Sequence, residues 1–317
     1  MKYRLLAALA LILPLAVACS SEDGGATASK SPEEGRQQIS AAIEGALATS
    51  YEFEATVEMS AVGDTPAFTL NAEGAVDAQN DRVRASADLA GLVASMAAGL
   101  GGEGSDGASD GIGAMLGMLG AGNLEVVLDG TTAYVSNPLL AFLAPQTGGT
   151  SWVSVDLSQG FGEGMPGGDA LAPAALLQSP SNILPLLTQV TDVTHAGSEK
   201  VRTVDTTRWD ATLNAEDLQQ LVEAQAAAGA ITAEHLDALR AYTQSLSDRV
   251  SDIPVSLWID GDNNLRRITL TATGTDEATG EEATASVNLE FFSYDGNVEV
   301  TLPDPADVTP LSSLTSP

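Results

Sequence analysis

Few residues in this chain have types and spacings suited to chemistry, and each candidate constellation falls short of a site. His195 and His235 are the only histidines and lie in different elements with no cysteine nearby, so a zinc site would lack ligands. Asp260, Asp262 and Asn264 begin like a calcium loop. Its sixth position is Leu265 instead of glycine and its twelfth is Thr271 instead of glutamate, so a hairpin turn explains the acidic cluster better. Gly99 to Gly104 satisfies G-x-G-x-x-G, but no strand precedes it and no βαβ unit surrounds it. There is no G-x-S-x-G elbow. The 43 carboxylates make any pair nominable as acid and base, so none is singled out. The expectation is a protein that is not an enzyme, with no metal or cofactor.

The one cysteine, Cys19, excludes an internal disulfide and leaves the fold to rest on its core. It follows a basic start at Lys2 and Arg4, an apolar run from Leu5 to Val17 and small residues at the boundary, the three parts of an export signal. That run is too short to cross a hydrocarbon layer of about 30 Å at about 1.5 Å per residue. Ala16-Val17-Ala18-Cys19 resembles the lipobox of bacterial lipoproteins, with Ala16 where the family usually has Leu. The resemblance implies cleavage before Cys19, a diacylated sulfur and a lipid anchor on the outer face of the cell membrane. The expected organisation is a signal peptide over 1–18, a lipidated Cys19 with a flexible tether over 19–30, and one domain over 31–317.

Loss of Lys2 and Arg4 with the leader takes the formal net charge from −30 to −32. Such a surface excludes nucleic acid as a partner and argues against electrostatic adhesion to an anionic leaflet. Any membrane attachment then falls to lipid.

Ser31-Pro32-Glu33-Glu34 is a capping box with proline in the first turn, and Ile39, Ala42, Ile43, Ala46 and Leu47 follow at helical spacing, so a helix is expected over about 32–48. The period then changes to two: Tyr51, Phe53, Ala55, Val57 and Met59 alternate with Glu52, Glu54, Thr56 and Glu58. Similar runs predict strands at 68–76, 83–89, 124–128, 132–136, 152–157, 191–199, 201–213, 253–260, 264–274, 283–294 and 297–302. Asp129-Gly130, Asp260 to Asn263 and Asp295-Gly296 supply turns. About a dozen strands without a repeating βαβ unit imply an α+β fold with one large antiparallel sheet. Short helices are expected over 173–189, and a helix pair over 215–249, split at Gly229-Ala230-Ile231.

Residues 91–122 are rich in glycine yet apolar, with Leu92, Met96, Met115, Leu116 and Leu119 among them. Two readings stand open: a low-complexity insertion, or short helices facing something greasy, since Met and Gly allow repacking around varied shapes.

Leu128 to Val135, the strand from Trp152 to Leu157, Val204 to Leu213, Val255 to Asp260 and the ending Phe291 to Pro303 together resemble the LppX/LprG-type lipoproteins of actinobacteria, within the wider LolA-like group. The resemblance implies a curved half-barrel sheet with helices on its concave face and, between them, a pocket for acyl chains of a lipid or acylated glycolipid, for local transport or presentation. On the strands, alternation puts Phe53, Val57, Phe68, Leu70, Val126 and Leu128 on one side of the sheet. Val153, Val155, Leu257, Ile259, Leu270 and Phe291 share it. With the five insertion residues these are the lipid-cavity candidates. Only 4% of residues are aromatic, so a lining made here is mainly aliphatic, as suits acyl chains better than flat rings. Periodicity leaves open whether this side closes into a dry core or holds a ligand, and for each residue taken singly packed core is the default. The alternative function is an envelope sensor or scaffold with a filled core that binds a protein or cation through its acidic surface.

Overall fold

The computed structural model describes residues 30–61, 67–91, 123–137, 149–156, 184–214, 252–275, 280–294 and 297–314, with Glu223, Arg240 and Gln244. Helix α1 (Pro32–Ala48) begins where the capping box places it. The Ser31 hydroxyl accepts from the Glu34 amide at 3.2 Å, and the Glu34 carboxylate accepts from the Ser31 amide at 2.7 Å. Its buried stripe, Gly35, Ile39, Ala42, Ile43 and Ala46, follows the helical period and faces the sheet.

Twelve strands form one open sheet: β1 (Tyr51–Met59), β2 (Phe68–Asp77), β3 (Arg82–Asp88), β4 (Asn123–Asp129), β5 (Thr132–Ser136), β6 (Trp152–Asp156), β7 (Thr191–Val201), β8 (Val204–Asn214), β9 (Asp252–Asp260), β10 (Leu265–Thr275), β11 (Glu282–Phe292) and β12 (Val308–Pro310). Their order is β12-β6-β5-β4-β3-β2-β1-β11-β10-β9-β8-β7. The chain builds outward from β1 to β6, crosses to the far edge at β7, and returns inward until β11 pairs with β1. The result is a curved half-barrel, with α1 and a 3-10 turn (Leu184–Gln189) on one face.

The sheet is mixed, where an antiparallel one was expected: β12 runs parallel to β6, with Val308, Thr309 and Pro310 opposite Trp152, Val153 and Ser154. The expected strand at 297–302 is not a strand. Its Val300 amide points to the Asp77 carboxylate at 3.4 Å, and the side chain is buried, so the segment runs as a strap past the end of β2. Within the expected short helices, residues 184–189 form a 3-10 helix, consistent with Pro185 in so short a piece. The rest of 173–189, residues 92–122, and 215–249 apart from Glu223, Arg240 and Gln244 lie outside the described residues, as does the Asp295-Gly296 turn. Glu223 and Arg240 are helical and joined by a bidentate ion pair at 2.5 and 2.7 Å.

The two ends of the sheet differ. At one end the strands are joined by turns at 78–81, 130–131, 202–203 and 261–264; from the other leave the long connections 60–67, 89–122, 137–151 and 215–251.

A half-covered apolar face as candidate functional site

Cross-strand pairing turns the alternation into rows. One row runs Ala211, Val255, Leu270, Val287, Val57, Leu70 across β8, β9, β10, β11, β1 and β2. The next, toward the tight-turn end, runs Trp209, Leu257, Ile268, Leu289, Ala55, Ala72, Ala87, Leu124. A third joins Phe291, Phe53, Gly74, Ala85, Val126, Val135 and Val153. These rows contain no charged residue, so their chemistry is burial and shape, without acid or base.

Burial is not uniform along them. In the first row Ala211 and Val255 are buried, whereas Leu270, Val287, Val57 and Leu70 are half-buried. In the second, burial ends at Leu289. Among the described residues, α1 packs on β7, β9, β10 and the 3-10 turn, away from the helix face of β1 to β4. Along β1 the same face grades from Tyr51, fully buried, to Met59, 42% exposed at the long-loop end.

The half-covered region also has a low floor. Ala55, Ala72 and Ala87 lie side by side on β1, β2 and β3, with Gly74 and Ala85 in the adjoining row. Gly74 is required there: a Cβ would lie 2.3 Å from the Arg84 carbonyl oxygen and 2.5 Å from Cζ of Phe53, whose ring leans over it. Val57, Leu70 and Phe53 rise around this floor.

The predicted lining residues therefore divide. Phe53, Leu257, Ile259 and Phe291 belong to the packed core with Ile39, Ile43 and Trp209. Val153 is buried on β6. Val57, Phe68, Leu70, Val126, Leu128, Val155 and Leu270 are half-buried on the helix face. Leu92, Met96, Met115, Leu116 and Leu119, with Cys19, lie outside the described residues. The floor residues Ala55, Ala72, Gly74, Ala85 and Ala87, and Val287 beside them, were not singled out from sequence. Only the pairing register brings such small side chains together.

On the helix face the Trp209 indole donates to Gln38 and Lys30 donates to Thr207; other polar contacts lie at the tight-turn end and on the outer face. The Asp260 carboxylate accepts from the amides of Asp262 and Asn264 at 2.9 and 2.8 Å, and from Arg266 at 2.7 Å. Burial pushes this carboxyl up, but the Asn264 amide, the Arg266 guanidinium and the Asn264 side chain outweigh it and hold it below the usual carboxylate range. The calcium-like spacing is thus a hairpin turn whose acid is engaged within its own turn, and Asn263 takes the left-handed φ of 63°. His195 stacks edge-on to Trp209 at 5.3 Å. Among the described residues no group of three or more His, Cys, Asp or Glu is placed to hold a metal ion. At the tight-turn end the Tyr294 hydroxyl donates to the Leu265 carbonyl at 2.6 Å, and burial, with Tyr51 beside it, pushes the phenol far above its ordinary range. No helix among the described residues is long and apolar enough to cross a membrane.

No protein-family model matches the sequence, and no curated protein does. Solved structures that resemble the chain include LprF from Mycobacterium bovis, 16% identical with a TM-score of 0.43, over 87% of this chain and 99% of that one. The lipoprotein LppX of Mycobacterium tuberculosis is 12% identical with a TM-score of 0.42, over 86% and 100%. A LolA superfamily protein from Nitrosomonas europaea is 11% identical with a TM-score of 0.26, over 85% and 95%.

Proposed function

We propose that this chain is a lipid-anchored envelope protein that binds acyl chains of a lipid or acylated glycolipid on the half-covered helix face, for local transfer or presentation. The observation that carries the reading is the first row: one uncharged apolar line across six strands, buried at Ala211 and Val255 and only half covered from Leu270 to Leu70. An exposed apolar face is costly in water, and an acyl chain offers about 0.8 kcal/mol per buried CH₂. A long chain therefore gains about 10 kcal/mol before ordering costs, enough to compete with a membrane. The small side chains of Ala55, Ala72 and Ala87 keep this part of the face low, and the aliphatic rim suits such a chain. Cys19, at the end of the export signal, would supply the anchor. The reading has no catalytic residues and needs no cofactor.

Native mass spectrometry of protein taken from its own membrane tests this. Bound species whose masses match lipids, lost on organic extraction and regained from labelled fatty acid, are the expected result. A lipid-free protein that takes up no labelled acyl chain overturns it.

A further inference from the structure

The outer face carries a fastening that the apolar face does not explain. Arg202, in the turn between β7 and β8, holds a left-handed φ of 54° and reaches past β9 and β10 to the centre of the sheet. Its guanidinium donates to Glu54 on β1 at 2.6 Å and to Glu290 on β11 at 3.1 Å, and stacks 4.0 Å above the ring of Phe292. Glu290 is shared with Arg267 at 2.6 Å. Around this contact Val201 is buried, and Trp258 lies between the guanidinium groups of Arg208 and Arg267, 5.2 Å from each, with its indole N–H donated to Glu199. Without Arg202, Glu54 would face Glu290 on one side and Glu73 on the other, directly opposite in both pairings. Like charges in such positions repel.

The same hairpin carries α1 on its other face. The Trp209 indole donates to Gln38 at 3.0 Å, Lys30 donates to Thr207 at 3.3 Å, and Gly35 nests against Trp209 and Val193. Between its two ends β7 breaks register twice, between Thr191 and Thr194 and between His195 and Gly197, with left-handed φ at Asp192 and Gly197. Ladder breaks of this kind are where a strand bends.

Building on the acyl-binding reading, we propose that Arg202 is an ionic clasp: it pins the β7–β8 hairpin to β1 and β11 from outside, and its release loosens the hairpin together with its contacts to α1 at Val193 and Trp209, easing entry of an acyl chain to the inner face. The clasp is partly exposed, so salt screens it and it opens reversibly.

Hydrogen exchange of the full chain tests this, alongside the rate of uptake of a dansyl-labelled fatty acid. Arg202→Ala is expected to speed exchange in 32–48 and 191–214 about fivefold, leave β2 to β4 unchanged, and speed uptake by a similar factor. Glu54→Gln should act in the same direction more weakly, and Arg202→Lys should restore part of the protection. Unchanged exchange in the two segments, or a uniform rise that includes β2 to β4, overturns the clasp. Selective exchange with unchanged uptake overturns its gating role. A wild-type chain that takes up no fatty acid overturns the acyl-binding reading itself, whatever the exchange pattern.

Discussion

A methyl group placed on Gly35 would lie 2.6 Å from Cζ3 of Trp209 and as close to Cγ1 of Val193. Helix and hairpin therefore meet at a contact that only glycine permits. Gly35→Ala gains about 1 kcal/mol of helix propensity, yet overpacking against two core side chains costs about 1–3 kcal/mol. Net destabilisation is expected in urea unfolding, with an altered Trp209 emission. A stabilised variant would mean that α1 does not seat on Trp209.

The same reasoning applies at Gly74, where a Cβ meets both the Arg84 carbonyl and the Phe53 ring. Gly74→Val should displace Phe53 and fill the low floor. Stability falls by about 1–3 kcal/mol and fatty-acid affinity falls with it. Retained affinity would place the acyl chain elsewhere.

Leu257 and Leu70 share a face and differ in cover. Leu257→Ala is expected to cost about 2–5 kcal/mol, and Leu257→Asp to prevent folding. Leu70→Asp, at a half-buried position, should shift the thermal midpoint by only a few degrees while sharply lowering fatty-acid uptake. If Leu70→Asp unfolds the protein instead, that part of the face is core.

Much of this was legible in the residues. Ser31 and Glu34 announced the helix start, and the alternation from Tyr51 to Met59 announced β1, because both depend on local periods. The segment 297–302 misled because Val298, Val300 and Leu302 alternate while the partner of the Val300 amide is a carboxylate, which no period reveals. Val308 to Pro310 escaped notice because three residues carry no pattern. The division of the candidate lining between Leu257 and Leu70 was not legible either. It depends on the strands over which α1 lies, and the floor of Ala55, Ala72 and Ala87 exists only through register.

Acid should loosen the tight-turn end of the sheet at Asp77 and Asp260. The Asn80 side chain, followed by the amides of Val300, Asn80 and Gln79, outweighs burial and holds Asp77 below the usual carboxylate range; Asp260 is held there by its turn and Arg266. A carboxyl lowered in the folded state adds stability that is complete above the unfolded value of about 4 and lost as pH falls through the folded value. The thermal midpoint should thus be flat from neutrality to about pH 5 and fall below it. Asp260→Asn should be less stable by about 3 kcal/mol at neutral pH, because Arg266 loses its partner, and should show a shallower acid slope. An equal slope in variant and wild type would remove Asp260 from this account.

Cys19→Ala should move the protein from the membrane to the soluble fraction with an unchanged thermal midpoint, since the cap of α1 is closed between Ser31 and Glu34. Fractionation followed by calorimetry checks both parts. Continued membrane retention would count against the anchor.

The pairing of β1 with β11 joins the first strand of the chain to one more than two hundred residues later. For a chain delivered amino end first through a narrow pore, β1 stays a bare edge until almost everything has emerged. Such non-local closure is slow, and until it occurs Phe53 lacks Phe291 beside it. The topology therefore delays assembly until delivery is nearly complete, and it leaves a vulnerable interval in which holding factors would have most to protect.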